Sequence, residues 1–264
     1  MAAVILAGCS GGKQPPGEIA STGASLAPAE TSASPSRPAA LAEPTVPHAA
    51  PAFEFGYQYP AAVRVIPALR LILDGEQKAV RASIASQAEQ AREDARASGF
   101  PFHTYIYTKT WRVVTDLPGW LSLSAQIYTF TGGAHGMSFF DALVWNKAAG
   151  KRGKAADLFE SREALSQAIR APFCDALDRL RAQKRGKPVR RGSGDMFDKC
   201  IDPMDETLIL GSAGGRAFDR IGVLVAPYDA GPYAEGAYEV TLPVTPAILA
   251  ATRPEYRRYF SLAR

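Results

Sequence analysis

The chain has 264 residues, 47% of them hydrophobic and 21% charged, with a formal net charge of +4 and a pI near 9.0. This is an ordinary globular balance with enough apolar material for a sizeable core, and without a run of roughly eighteen apolar residues no segment past the first few reads as a membrane-spanning helix. The mild basic excess favours anionic neighbours such as phospholipid headgroups or acidic glycans, and does not by itself indicate nucleic acid.

The chain opens on an apolar run that ends in Leu6-Ala7-Gly8-Cys9. This run resembles the lipobox of bacterial lipoproteins: small residues at 7 and 8 let a peptidase approach the backbone, and the thiol of Cys9 takes a diacylglyceryl group. No Lys or Arg precedes Cys9, so residues 1–9 read as a truncated signal peptide. The competing reading is an accidental Gly-Cys at a cytoplasmic N-terminus. Buried acyl CH₂ groups contribute about 0.8 kcal/mol each, so several chains on Cys9 would make a durable membrane anchor. Residues 10–52 are almost wholly Pro, Ala, Ser, Thr and Gly, which cannot bury enough to fold. They are expected to be a disordered tether with a root-mean-square span of roughly 35 Å.

Ordered sequence begins near Phe53, where Phe53, Phe55, Tyr57 and Tyr59 alternate with Glu54, Gly56 and Gln58 in the period of a half-buried strand. Asp74 is read as the N-cap of a long helix to about Ser98. Val80, Ile84, Ala88, Ala91 and Ala95 fall at helical spacing, and Gly99 and Pro101 end it. His103 to Thr115 and Leu121 to Ile127 form an antiparallel pair about Leu117-Pro118-Gly119, and a third strand runs from Met137 to Asn146. A second helix, capped by Ser161, carries the stripe Leu165, Ile169, Phe173, Leu177 and Leu180, with Pro172 expected to kink it. Strands return near Thr207–Leu210, Ile221–Ala226 and Tyr238–Leu242. Hairpins with two interposed helices and no βαβ alternation predict an α+β fold. The expected architecture is a mostly antiparallel sheet with two main helices packed on one face, in two adjoining modules at 53–147 and 148–264.

Only Cys9, Cys174 and Cys200 occur, so with Cys9 assigned to lipid an even pair remains, as suits an oxidising compartment. A Cys174–Cys200 disulfide would close a loop worth roughly 3 to 4 kcal/mol. Two reduced buried thiols are the alternative.

Three motifs stand in order: Thr131-Gly132-Gly133-Ala134-His135-Gly136 before a strand, Asp157-Leu158-Phe159 before a helix, and Pro227-Tyr228-Asp229-Ala230-Gly231-Pro232-Tyr233-Ala234-Glu235-Gly236 before the last strand. Together they resemble the RsiV-like/PdaC-like extracytoplasmic domain family, which is largely of unknown function. Its domains form the outer part of anti-sigma factors that capture lysozyme, accompany wall deacetylase domains, and occur alone in lipoproteins. Met137 stands where that family usually has Asn, and Gly231 where it more often has Ala. No sigma-binding segment or metal-dependent deacetylase domain is attached, so neither activity is carried over. Residue by residue, Gly132, Gly133, Gly136, Gly231 and Gly236 are read as supplying positive φ in tight turns. Two readings stay open for His135, Tyr228 and Tyr233. The preferred one has His135 fixing its turn by bonding neighbouring backbone; the other makes all three a ligand surface.

Absent templates bear on chemistry. The chain has no His-Glu-x-x-His helix, Gly-x-Ser-x-Gly elbow, phosphate-binding loop or Cys-x-x-Cys pair, and His103 and His135 are the only histidines in the folded part. No catalytic residue, metal ligand or cofactor is therefore assigned. A carboxylate pair for glycoside hydrolysis leaves no sequence signature and stays as the alternative. The run Arg179, Arg181, Lys184, Arg185, Lys187, Arg190 and Arg191 reads as a solvated helix end and loop, with its charge suitably placed at a helix C-terminus. Without interleaved aromatics it does not read as a nucleic-acid surface. The resulting expectation is a lipid-anchored lipoprotein on the periplasmic face of a bacterial envelope membrane. Its domain would bind an envelope component, a glycan or a lysozyme-like protein; the alternative is a hydrolase of wall glycan.

Overall fold

A computed structural model describes residues 51–263; Cys9 and all but the last two residues of the expected tether lie outside them. In chain order the elements are β1 (Phe53–Gln58), α1 (Ala61–Arg64), α2 (Pro67–Ser98), β2 (Tyr105–Asp116), β3 (Trp120–Phe130), β4 (Met137–Asn146) and β5 (Lys151–Gly153). After these come α3 (Arg162–Arg185), β6 (Thr207–Gly211), β7 (Arg220–Val225), β8 (Tyr238–Pro243) and α4 (Pro246–Ala251). The fold is α+β, with a five-stranded mixed sheet β1-β2-β3-β4-β5 and a three-stranded antiparallel sheet β6-β7-β8.

The helix α2 determines the parallel pairing of β1 with β2. It carries the chain back past β1, so β2 starts level with it, Phe53 beside Tyr105, and a parallel ladder results. The helix begins earlier than its periodicity suggests. Pro67 occupies its first turn, where a missing N–H costs nothing, and Ile66 rather than Asp74 is the N-cap. Asp74 lies inside the helix and accepts from the Tyr59 hydroxyl at 2.6 Å. Gly99, at φ 71°, closes the other end in a left-handed cap.

Each helix buries its stripe on a sheet. Leu69 and Leu73 of α2 pack over Trp111, Leu121, Leu123, Leu143 and Trp145, which share one face of β2, β3 and β4 through the period-two alternation. Buried beside them, Lys109 is 4% exposed and pairs with Glu76 and, at 2.7 Å, with Asp141. Arg152 adds a bond of 3.0 Å to Glu76, so two cations and two carboxylates balance one another. In the second core, Leu165, Ile169, Phe173 and Leu177 of α3 meet Leu210, Ile221, Val223, Val225, Val240 and Leu242. Ser161 caps α3 by accepting from the Ala164 N–H at 3.1 Å, and the helix continues through Pro172 to Arg185.

The two sheets are joined by Trp120 and Val144, which belong to the first sheet and are buried in the second core. The Trp120 ring meets Phe218, Tyr256 and Tyr259 edge-on at 5.6 to 6.3 Å. At the other end of β4 the Thr207 hydroxyl donates to the Phe140 carbonyl at 3.3 Å, bringing the start of β6 to the start of β4. That junction places the 131–136 turn, which precedes β4, beside the 226–237 loop, which follows β7.

Candidate functional site

Both glycine-rich motifs meet at this junction. In the first, Gly132 and Gly133 take φ of 99° and 92°, which glycine alone adopts freely. Gly136 is needed for space instead, since a Cβ there would overlap the Tyr128 ring and lie 2.6 Å from the Thr129 carbonyl. The second motif divides likewise: Gly236 has φ 66°, whereas a Cβ on Gly231 would strike the Glu235 carboxylate and come within 3.0 Å of the Tyr238 hydroxyl. Positive φ thus explains Gly132, Gly133 and Gly236, and close approach corrects the expectation for Gly136 and Gly231.

His135, Tyr228 and Tyr233 come together. The His135 and Tyr233 rings stack at 3.8 Å, 15° from parallel, and Tyr228 lies 5.5 Å from Tyr233. His135 Nδ1 is 3.0 Å from the Gly136 carbonyl, which can only accept, so Nδ1 carries the proton. Nε2 is then free to accept from the Tyr228 hydroxyl at 3.2 Å. The Tyr233 hydroxyl donates to the same Gly136 carbonyl at 2.9 Å, fastening the loop to the turn. Tyr228 is 45% exposed and, among the described residues, is the one non-glycine with positive φ, 78°. Such a backbone costs about 1 to 3 kcal/mol and is kept only where its surroundings enforce it.

The enforcement comes from α3. Arg181, fully buried, donates through Nε to the Ala230 carbonyl at 2.8 Å and through Nη1 to the Lys199 carbonyl at 3.0 Å. Lys184 Nζ donates to the Glu235 and Ala237 carbonyls at 2.5 and 2.7 Å. Arg185 grips the Glu235 carboxylate at 2.8 and 3.1 Å and Asp198 at 2.8 Å, while Arg191 holds Asp175 and Asp178. Burial works against the Glu235 anion, yet the Arg185 hydrogen bond prevails and holds its pKa below the ordinary carboxylate value. The basic run is therefore a solvated face only in part: Arg181 and Arg185 are drawn into the fold, Lys184 and Arg191 are exposed but bound to carbonyls or carboxylates, and Arg179, Lys187 and Arg190 remain exposed. Cys174 of α3 is bonded to Cys200, with Cα atoms 5.5 Å apart, which fixes the segment carrying Asp198 and Lys199 against the same helix.

Glu206 lies one residue before β6 and has no hydrogen-bond or ion-pair partner among the described residues. It lines a cleft of about 380 Å³ with Asp141, Lys154, Arg162, Asp205 and Thr207. Burial, then the charges of Asp229 and Asp205, push its pKa up to about 8. Burial also raises Asp229, the residue after Tyr228. Sequence reasoning missed Glu206 because its proton affinity arises first from tertiary burial and then from the charges of Asp229 and Asp205. Asp229 and Glu235 lay inside the quoted motif, which was their available signal. Arg181 could have been suspected from its place four residues after Leu177 on the apolar stripe. Among the described residues, no group of three or more His, Cys, Asp or Glu side chains is placed to hold a metal ion, and no helix is long and apolar enough to cross a membrane.

The raised Glu206 pKa has a signed consequence. The folded state holds this proton more tightly than the unfolded chain, so its stabilising contribution is complete below the ordinary value of 4.5 and is lost as pH rises through about 8. Glu206→Gln is expected to flatten the fall in melting temperature across that interval and to raise the melting temperature above pH 8, as read by calorimetry at stepped pH. An unchanged pH profile would contradict the assignment.

Residues 48–138 match the family model described as Deacetylase PdaC, a span that takes in β1, α1, α2, β2, β3, the first glycine-rich turn and the first residues of β4. No curated protein matches the chain. Among solved structures, a DUF3298 family member from Bacteroides fragilis NCTC 9343 is 17% identical with a TM-score of 0.39, over 70% of this chain and 66% of that one. A DUF3298 family protein from Pseudomonas aeruginosa PAO1 is 17% identical with a TM-score of 0.37, over 61% of this chain and 66% of that one. The chain thus spans just under two thirds of the length of each. From residue 48 to residue 138 the chain is PdaC-like by its family model.

Proposed function

We propose that this chain is a cell-envelope lipoprotein, anchored through Cys9 on the periplasmic face of a membrane, whose folded part is a non-enzymatic binding domain for an envelope glycan. The observation that carries the reading is the strained, exposed Tyr228 beside the stacked His135 and Tyr233. Aromatic rings with an apolar face and a polar edge suit a sugar, which offers C–H groups on one face and hydroxyls around its rim. A backbone outlier kept on an exposed side chain motivates a functional reading.

A hydrolytic reading has one observation in its favour. Glu206 lines a cleft and has its pKa pushed up to about 8 by burial and by the charges of Asp229 and Asp205, as suits an acid that protonates a leaving oxygen in glycoside cleavage. The printed name of the matched family model, a deacetylase, also points to hydrolysis, although the matched span does not contain Glu206.

Calorimetric titration with soluble peptidoglycan fragments separates the two. The binding reading expects saturable heat without turnover, and at least tenfold weaker affinity, about 1.4 kcal/mol, for Tyr228→Ala and His135→Ala while both variants remain folded. Turnover abolished by Glu206→Gln favours the hydrolase. Capture of lysozyme with no response to glycan moves the ligand to a protein, and no interaction with either removes the binding reading. For the anchor, Cys9→Ser expressed from the native precursor is expected to move the protein from the membrane to the soluble fraction; retention in the membrane contradicts acylation at that residue.

A further inference from the structure

The cationic turn of α3 and the disulfide converge on one task. Arg181 and Arg185 each bond two segments at once. On one side is the loop that presents Tyr228 and Tyr233, reached at the Ala230 carbonyl and the Glu235 carboxylate. On the other is the stretch just before Cys200, reached at the Lys199 carbonyl and Asp198. Cys174 lies on the same helix, two turns before Arg181, and its bond to Cys200 fixes that second segment. Arg181, at 0% exposure, pairs through Nη1 with Asp178 of its own helix at 3.2 Å and leaves Nη2 without a hydrogen-bond partner among the described residues; such a buried pair is weak evidence of stabilisation, because apolar side chains of equal volume carry no desolvation cost. The geometry of Arg181 is that of a spacer that sets the distance between two backbones.

We infer that Arg181 is the positioning residue of the aromatic site and that the Cys174–Cys200 bridge keeps it in that role, so that the site is assembled only in the oxidised protein. The chain of contacts is short. Without the bridge, residues 197–200 lose their covalent tie to α3 and keep only the Arg185 bonds at Asp198 and Phe197, so the Lys199 carbonyl fixes one arm of Arg181 less firmly. The opposite arm, at Ala230, then loses its reference. Tyr228 is two residues from Ala230 and sits at φ 78°, so it relaxes toward an ordinary backbone as soon as that hold loosens. Its hydroxyl then leaves His135, and Tyr233 loses its stack. A thiol reductant such as dithiothreitol supplies two electrons and two protons; two thiols form on the protein and the reductant closes to its own disulfide. The consequence for a ligand rests on the glycan reading above, but the structural step does not.

The test therefore uses no ligand. The chain has three histidines, so the ring protons of His135 are identified by their loss in His135→Gln. In the oxidised full chain they are shifted upfield by the Tyr233 face 3.8 Å away. Reduction with dithiothreitol, Cys200→Ser and Arg181→Met are each expected to move those resonances toward the free-imidazole position. Each should also raise amide hydrogen exchange across residues 226–237 at least tenfold while leaving β2 and β3 protected. Arg181→Lys, which keeps the charge but offers a single nitrogen, serves if the methionine variant does not fold, and is expected to give the same change in smaller measure. Arg191→Met, which removes the bonds to Asp175 and to the second oxygen of Asp178 and leaves the Asp178 pair with Arg181 in place, should change neither readout. An unshifted His135 signal with an equally protected loop after reduction overturns the proposal. Uniform loss of protection through β2 and β3 overturns it as well, since the bridge would then be a staple of the whole fold. A failed glycan titration with a positive result here would dismiss the ligand and keep the device.

Discussion

The hold of α3 on the loop after β7 is the constraint from which the candidate site follows. Three consecutive cationic positions of one helical face, Arg181, Lys184 and Arg185, bond the carbonyls of Ala230, Glu235 and Ala237 and the carboxylate of Glu235. Those bonds fix a loop whose own sequence, rich in Gly and Pro, has little preference for one shape. With the loop fixed, Tyr233 reaches the Gly136 carbonyl and Tyr228 reaches His135. The strain at Tyr228 is then a property of the frame that surrounds it. Placing cations in the last turns of α3 also suits the helix dipole, so the same residues stabilise the helix end and the loop.

This arrangement joins the halves of the molecule at two places with different chemistry. Near Trp120 the joint is apolar, with aromatic rings packed edge to face in the second core. Near His135 it is polar and exposed, built from hydroxyl, imidazole and carbonyl groups that retain hydrogen-bonding capacity toward solvent. Rigid burial at one end and a hydrated aromatic surface at the other is a reasonable division between holding a fold together and presenting it to a ligand. Glu206 and its cleft lie next to the polar end. A carboxyl that prefers its proton there lowers the local negative charge beside Asp229.

Much of this was legible in the residues, and the part that was not has a common cause. β4 and the strands near residues 207, 221 and 238 follow alternation bounded by turn residues, so local pattern suffices for them. The start of α2 was misplaced because the apolar residues from Ala61 to Leu73 look alike whether they precede the helix or belong to it; Pro67 was the better signal. The parallel pairing of β1 with β2 depends on a partner some fifty positions away and has no local mark. The inward part of the basic run lacks a local mark for the same reason, since the partner of Arg185 at Glu235 is 50 residues distant. His135, Tyr228 and Tyr233 were singled out because their motifs are dense in glycine. That density reflects two needs, left-handed backbone and close approach, which sequence cannot tell apart.

The contacts of Tyr228 and Tyr233 with His135 and Gly136 make the 131–136 turn and the 226–237 loop one energetically coupled unit. A double-mutant cycle on His135→Ala and Tyr233→Ala, read as unfolding free energy from denaturant titration, tests this most directly. Stacking rings tied to the same carbonyl should show a coupling of about 0.5 to 1.5 kcal/mol. Strictly additive losses would mean that the two motifs are merely neighbours, and the site described above would not exist as a unit.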